Sequence, residues 1–390
     1  MNIEKRKNIL LKKFKELYPE SNNPKVFAGP GRVNIIGGHT DYNLGFVLPT
    51  AVDREILMVA QNRDDYLLKI FSLDYNDLKE VSLYDLKFDN EKRWANYLMG
   101  VFYFLKGSGF KLKGMNIVFS GDIPQGGGMS SSAALEVVTA YTARALQDLN
   151  LTDIDLIKLS QKAENKFVGV MCGIMDQFAS TMSKKNHLIF LDCADLSFKL
   201  IPMKFSDIKF VICDTKKERT LATSEYNKRR QQCSAAVEIL KKYIPGIRAL
   251  RDVSIEDFER YKNKLPSPLN KRAEHVIYEI DRVKKVVEAL GKNDLDCIGK
   301  LQRESQRSMR DLFEISCDEL DIMVDLANSV RGVYGTRIIG GGFGGCTISL
   351  VKLEAIEDFK SKILSEYPKK TGKIPEIWVC ESSDGVREIK

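Results

Sequence analysis

Between a β-rich run at 115–120 and a helical apolar pattern beginning at Ala133, the chain carries three consecutive glycines, Gly126, Gly127 and Gly128. Met129 and the triplet Ser130, Ser131 and Ser132 follow directly. Backbone this bare can approach a bound anion closely, and a helix starting just beyond it points its positive end at that anion. The segment predicts a strand–loop–helix unit whose loop cradles phosphate, with serine hydroxyls open to phosphate oxygens or a divalent cation. It is neither of the commoner nucleotide loops, since it lacks both Gly-Lys-Ser/Thr and a G-x-G-x-x-G opening. The competing reading of the same residues is a plain loop in which a Ser caps the helix.

Three further segments gather chemistry. Gly31 to Pro49 places Arg32, Asn34, His39 and Asp41 among glycines ahead of a strand, which suits a polyhydroxylated ligand, or else plain turn chemistry. Val170 to Ser180 sets Asp176 among apolar neighbours, where a carboxylate is either functionally tuned or a cap. Gly335 to Cys346 packs six glycines around a strand entry, predicting close backbone contact with another loop or a ligand.

Around these segments, helices are expected at Asn8–Leu17, Ala133–Leu149, Leu156–Val168, Ser224–Lys242, Ala273–Leu290 and Asp311–Ser329. Strands are expected at Val47–Pro49, Glu55–Ala60, Leu67–Ser72, Met115–Ser120, Leu188–Asp192, Phe210–Cys213, Thr347–Lys352 and Ile377–Val379. Runs of strands with runs of helices favour an α+β class over a doubly wound sheet. At 390 residues the chain exceeds one hydrophobic core, so two domains sharing a cleft are expected, 1–205 and 206–390.

The net charge of +7 is spread over 60 Lys and Arg among 53 Asp and Glu, with no basic stretch interleaved with aromatics, so no nucleic-acid partner is expected. Neither an apolar leader nor a membrane-length segment is visible, which points to a cytoplasmic protein without a membrane partner. Eight Cys without a CxxC pair and only three His point to neither a zinc site nor a disulfide framework.

Taken in order, these segments closely resemble the galactokinase branch of the GHMP kinase superfamily. The resemblance rests on the signature at 31–49, Pro-x-Gly-Gly-Gly-x-Ser-Ser-Ser-Ala at 124–133, Cys-Gly-Ile-Met-Asp-Gln at 172–177 and the glycine-rich motif at 340–345. Trp94-Ala-Asn-Tyr97, Ser224 to Arg230, Arg272 to Val276 and Ser308 to Asp311 extend it over nearly the whole chain. It implies a two-lobed α+β GHMP-kinase fold in which ATP and a sugar meet in the inter-lobe cleft, Mg²⁺ as cofactor, and a monomer or weak homo-oligomer. The implied reaction is an ATP-dependent sugar 1-kinase, galactose being the first candidate. The alternatives are galacturonate or L-arabinose as substrate, or a non-catalytic sugar and ATP sensor.

The resemblance also assigns roles. Asp176 and Arg32 fall on the catalytic positions, and Gly38, His39, Asp41, Gly173 and Tyr226 on the sugar-contacting ones. Trp94 falls beside the adenine, Gly126, Gly127, Gly128, Ser130, Ser131 and Ser132 on the phosphates, and Ser132 and Glu164 on Mg²⁺. The chain departs from the pattern in three places. Gly38 stands where the family carries a Glu associated with the sugar's C6 hydroxyl, Lys217-Glu218-Arg219 replaces a usual Val-Arg-His, and Gln306 replaces a usual His. The cations Lys216, Lys217 and Arg219 lean toward a carboxylate-bearing sugar or are simply solvated surface charge.

Overall fold

The computed structural model describes residues 2–124, 127–218 and 222–390. Helix α1 (Ile3–Leu17) leads into β1 (Lys25–Asn34), then β2 (Phe46–Val47), β3 (Pro49–Asn62), β4 (Leu67–Ser72) and β5 (Asp77–Ser82). Helix α2 (Asn96–Gly107) and β6 (Met115–Gly121) precede three helices, α3 (Ser131–Gln147), α4 (Asp153–Ala163) and α5 (Met175–Met182). Strands β7 (His187–Asp192), β8 (Phe198–Pro202) and β9 (Ile208–Asp214) follow. The second half is mainly helical: α6 (Ala222–Leu240), α7 (Ile255–Tyr261), α8 (Leu269–Gly291), α9 (Leu295–Asp311) and α10 (Asp318–Asn328). It closes with β10 (Val333–Ile338), β11 (Cys346–Lys352), α11 (Ile356–Thr371), β12 (Glu376–Cys380) and β13 (Arg387–Ile389).

The strands form a six-stranded sheet, β13-β1-β3-β6-β4-β5, a four-stranded sheet, β10-β11-β9-β12, and a three-stranded sheet, β2-β7-β8. Only the β4–β6 pair runs parallel among the described strands. Period-two alternation explains the layering. Val26, Ala28, Leu57, Val59 and Val118 pack on one face of the large sheet against Leu10 and Phe14 of α1. Their neighbours Phe27, Ile56, Met58, Ala60, Ile117 and Phe119 point to the opposite face, beneath α2 and α3. Strand β9 divides in the same way: Val211 and Cys213 face α10 and α11, while Ile208, Phe210 and Ile212 join the cluster that fills the first sheet's inner face. One apolar cluster thus runs through both sheets. The tail returns as well, with Ile389 paired to Val26 and Ser382 bridged to Val52.

Two sequence expectations need correction. A helix over 311–329 is not what forms: α9 ends at Asp311, and α10 begins only at Asp318. Glu314 takes a left-handed φ of 55°, and distant arginines satisfy the carbonyls released by the break. Arg229 donates to the Phe313 and Glu314 oxygens, each at 2.7 Å, and Arg272 donates to the Leu312 oxygen. Nothing local signals that arrangement. The helix expected to run through Val168 stops at Ala163 and widens into a π-turn over Glu164–Val168. Strand β1, hidden by its Gly-Pro-Gly segment, runs through that segment with a register shift between Pro30 and Arg32. Among the described residues no helix is long and apolar enough to cross a membrane.

Helix α9 and β10 pack backbone to backbone. A Cβ on Gly299 would lie 2.0 Å from the Tyr334 carbonyl oxygen. Alanine is otherwise the better helix former by about 1 kcal/mol, so the sign of a substitution tests the contact. Gly299→Ala should lower stability by about 1–3 kcal/mol, the usual range for overpacking, seen as a reduced melting temperature. A higher melting temperature would show that the two elements separate readily.

Candidate active site

Arg32 follows directly on the register shift in β1, and such irregularities are over-represented beside functional sites. Asp176 meets it from the first turn of α5, where the helix N-terminus favours a carboxylate. The two form a fork: Arg32 Nε donates to Asp176 Oδ1 at 2.7 Å and Nη2 donates to Oδ2 at 2.7 Å. The third arm, Nη1, donates to the Gly128 carbonyl at 2.6 Å. Ser130 adds its hydroxyl to Asp176 Oδ2. Ser130 has a left-handed φ of 54° and makes no side-chain cap on α3, so its hydroxyl serves the carboxylate and not the helix end. Gly126 lies outside the described residues.

Gly128 is closely backed by the glycine-rich motif. A Cβ on Gly340 would lie 3.3 Å from Gly128 Cα, and Gly128 itself has a φ of 67° beside Ile339. The contact expected for that motif is therefore with the 127–128 loop.

Two cavities flank this loop. The first, of about 250 Å³, is lined by Arg32, Asp176, His39, Asp41, Gly173 and Tyr226, together with Gly38, Glu164 and Arg337. The second, of about 450 Å³, is lined by Trp94, Tyr75, Tyr97, Phe119, Ser131 and Ser132. Tyr75 and Trp94 stack with centroids 6.2 Å apart and planes 13° from parallel.

Glu164 is buried at the start of the π-turn, and Gln177 Nε2 bridges it to Glu136, at 2.7 Å and 3.1 Å. Burial, with the Asp176 charge nearby, raises the Glu164 carboxyl above its ordinary range. Burial and then Glu164 push fully buried Glu136 well above its own. Glu136 Oε1 and Gln177 Oε1 are buried without a hydrogen-bond partner. Glu136 and Gln177 escaped the sequence reading, though a lone Glu in the apolar α3 run is a signal that could have found the first.

The first cavity's far wall is the turn at 37–43. His39 has a φ of 62°. Its Nδ1 meets the Tyr42 hydroxyl at 2.8 Å, and its ring packs on Phe313 and Tyr226 with centroids at 4.8 and 5.4 Å. Burial lowers its pKa to about 3, so the imidazole is neutral. Glu279, fully buried, accepts from the Gly37 and Gly38 amides at 3.0 and 3.1 Å and from Ser305 at 2.7 Å. Burial alone would raise this carboxyl, but Arg282 and Arg337 hold it at about 2. Gly173 is required sterically, since a Cβ there would fall 1.7 Å from Asp41 Oδ2.

The residues that depart from the family pattern are also placed. Lys216 pairs with Asp214 and Glu376, Lys217 pairs with Glu319, and neither lines the first cavity. Arg219 lies outside the described residues. Gln306 is buried behind the site and accepts from the Ile338 amide at 2.9 Å.

Three family profiles match the chain: the GHMP kinase N-terminal domain over 96–184, the GHMP kinase C-terminal domain over 286–369, and the galactokinase galactose-binding signature over 12–62. The galactokinase of Roseiflexus sp. is 43% identical over 364 residues, 93% of each chain. That of Bacillus subtilis is 40% identical over 381 residues, 97% of each. The crystal structure of Lactococcus lactis galactokinase complexed with galactose superposes with a TM-score of 0.95 at 32% identity, covering 98% of this chain and 99% of that one. Methanococcus jannaschii mevalonate kinase, at 17% identity and a TM-score of 0.64 over 93% of this chain, shares the fold.

Asp41 offers a test of the site's electrostatics. Burial, then the neighbouring Asp176 charge, raises its pKa from 3.8 to about 6. A carboxyl whose folded pKa is raised destabilises the fold once it must ionise there, so the penalty grows between about pH 4 and 6 and is full above that. Asp41→Asn should therefore raise stability at pH 7.5 by about 1–3 kcal/mol, with the gain vanishing below pH 4. A melting-temperature difference independent of pH would refute this setting for Asp41.

Proposed function

The chain belongs to the galactokinase branch of the GHMP kinases, and from that premise we infer how its own residues carry phosphoryl transfer from ATP to galactose. The observation that carries the reading is the Arg32–Asp176 fork, bound on one side to the phosphate loop through Gly128 and Ser130 and open on the other to the first cavity. Galactose occupies that first cavity, with His39, Asp41, Gly173 and Tyr226 around its hydroxyls and Gly38 beside C6. The nucleotide base lies among Trp94 and its neighbours in the second cavity, which places the phosphates along Gly126–Gly128 and Ser130–Ser132.

With both Asp176 oxygens held by Arg32 and Ser130, the carboxylate is oriented to accept the proton of the anomeric hydroxyl. The C1 oxygen then bonds to the γ-phosphorus while the bond from that phosphorus to the β-phosphate oxygen breaks, releasing ADP. Arg32 stabilises charge on the transferring group, for which a planar guanidinium is well suited. The Gly128 contact ties its position to that of the phosphate loop.

Among the described residues no three His, Cys, Asp or Glu side chains form a metal cage. Mg²⁺ in kinases is held by one or two protein oxygens plus phosphates and waters. The Ser132 and Glu164 oxygens, with the orphaned Glu136 and Gln177 oxygens nearby, fit that demand, although Cys172 Sγ and Gln177 Nε2 also contact Glu164 Oε2. Ser132 and Glu164 would hold the ion, which supplies charge neutralisation at the phosphates.

Two variants test these roles. Asp176→Asn should leave galactose and nucleotide binding near wild type by calorimetry while lowering kcat by about 10²–10⁴-fold. Near wild-type turnover would remove Asp176 from the proton transfer. Ser132→Ala should raise the KM for Mg-ATP and the Mg²⁺ concentration needed for half activity, with the galactose Kd unchanged. Weakened sugar binding with normal use of ATP would reverse the division between the two cavities.

A further inference from the structure

Arg337, on β10, is 2% exposed and lines the sugar cavity beside Gly38. Its hydrogen bonding is thin for a buried guanidinium. Nη1 donates to the Asn34 carbonyl at 3.3 Å, Nη2 has only the Met309 sulfur at 3.6 Å, and Nε has no hydrogen-bond partner. Arg32, which lines the same cavity, uses the same Nε and Nη2 edge to grip a carboxylate with both contacts at 2.7 Å. In Arg337 that edge meets no oxygen among the described residues.

The nearest balancing carboxylate is already committed. Glu279 takes the amides of Gly37 and Gly38, the Ser305 hydroxyl, and Arg282 at 2.5 Å. No ion pair joins it to Arg337 among the described residues. The two nearby imidazoles carry no charge at neutral pH, since burial lowers His39 to about 3 and His275 to about 4. Glu279 is thus the shared counter-charge of both Arg282 and Arg337, which leaves this end of the cavity with one net positive charge and the Arg337 Nε and Nη2 edge without an oxygen partner. That arrangement is costly unless an anion completes it.

Gly38 keeps this face open. Its φ lies outside the left-handed region, so the backbone there does not demand glycine, yet a Cβ would stand 2.6 Å from Arg337 Nη2. We propose that Arg337 is a carboxylate-recognition site within the sugar cavity, and that the enzyme also phosphorylates a galacto-configured uronate. The inference rests on the sugar-kinase reading above. Since the anomeric hydroxyl is the acceptor, a carboxylate on an otherwise unmodified hexose must be at C6, which makes the substrate galacturonate. The transfer balances as for galactose: the C1 oxygen bonds to the γ-phosphorus, the bond to the β-phosphate oxygen breaks, the hydroxyl proton passes to Asp176, and the products are galacturonate 1-phosphate and ADP. The guanidinium fork matches the two carboxylate oxygens, whereas a hydroxymethyl group engages a single donor.

The test compares galactose and galacturonate as substrates, by ADP release and by phosphorus NMR of the product, in wild type, Arg337→Met and Gly38→Glu. Wild type should turn over galacturonate with a kcat/KM within about tenfold of that for galactose. Removing the charge, or giving Arg337 an internal carboxylate partner through Gly38→Glu, should cut the galacturonate-to-galactose ratio of kcat/KM on the order of 10²-fold. If Arg337→Met does not fold, Gly38→Glu decides. Turnover of galactose with no turnover and no calorimetric binding of galacturonate overturns the inference and leaves the galactose reading intact. An unchanged ratio in Gly38→Glu also overturns it. A folded wild-type protein that turns over neither sugar removes the galactose reading, and this inference with it.

Discussion

A guanidinium taken out of water must find acceptors or destabilise the fold, and Arg32, with its side chain 5% exposed, finds three from two different segments. Two Asp176 oxygens come from α5, and the Gly128 carbonyl comes from the loop before α3. Strand β1, helix α5 and the loop before α3 are therefore fixed to one another by a single planar group. Ser130 completes the lock from the loop side. The same few hydrogen bonds that orient the Asp176 carboxylate thereby also join three segments of the fold.

The charge around the first cavity follows from how deeply each group is buried. His39 is neutral, Asp41 is raised to about 6, and Glu164 and Glu136 are pushed up, in each case with burial as the leading cause. Glu279 runs the other way because Arg282 and Arg337 outweigh the same penalty. The cavity lining combines polar and charged side chains with glycine backbone, which suits hydroxyl-rich ligands. Arg337 stands apart as a buried cation whose balancing carboxylate is shared elsewhere.

Much of the site was legible in the chain itself. Arg32, His39, Asp41, Gly173, Asp176 and Tyr226, singled out from motifs up to 194 positions apart, do line one cavity, and Trp94, Ser131 and Ser132 line its neighbour. Local pattern failed where distant side chains decide the backbone. The break after Asp311 is held by Arg229 and Arg272, which arrive from α6 and α8. The Gly-Pro-Gly segment of β1 carries no local strand signal, yet pairing of Gly29 and Pro30 with Ile56 and Glu55 of β3 holds it as strand.

Spacing and residue type determined the layered alternation of strands, the glycine segments where backbones approach closely, and Arg32 and Asp176 as candidate site residues. These are properties of a few adjacent residues and survive in any context. Tertiary structure alone decided that Ser130 turns to Asp176 instead of capping α3, that Gln177 joins Glu136 to Glu164, and that Lys216 and Lys217 are consumed by surface pairs. It also set Arg337 beside Gly38, 299 positions away in the chain. Hydrogen bonds and charge pairs act over a few ångströms, and which groups come that close is fixed by the packing of sheets and helices and not by their order along the chain.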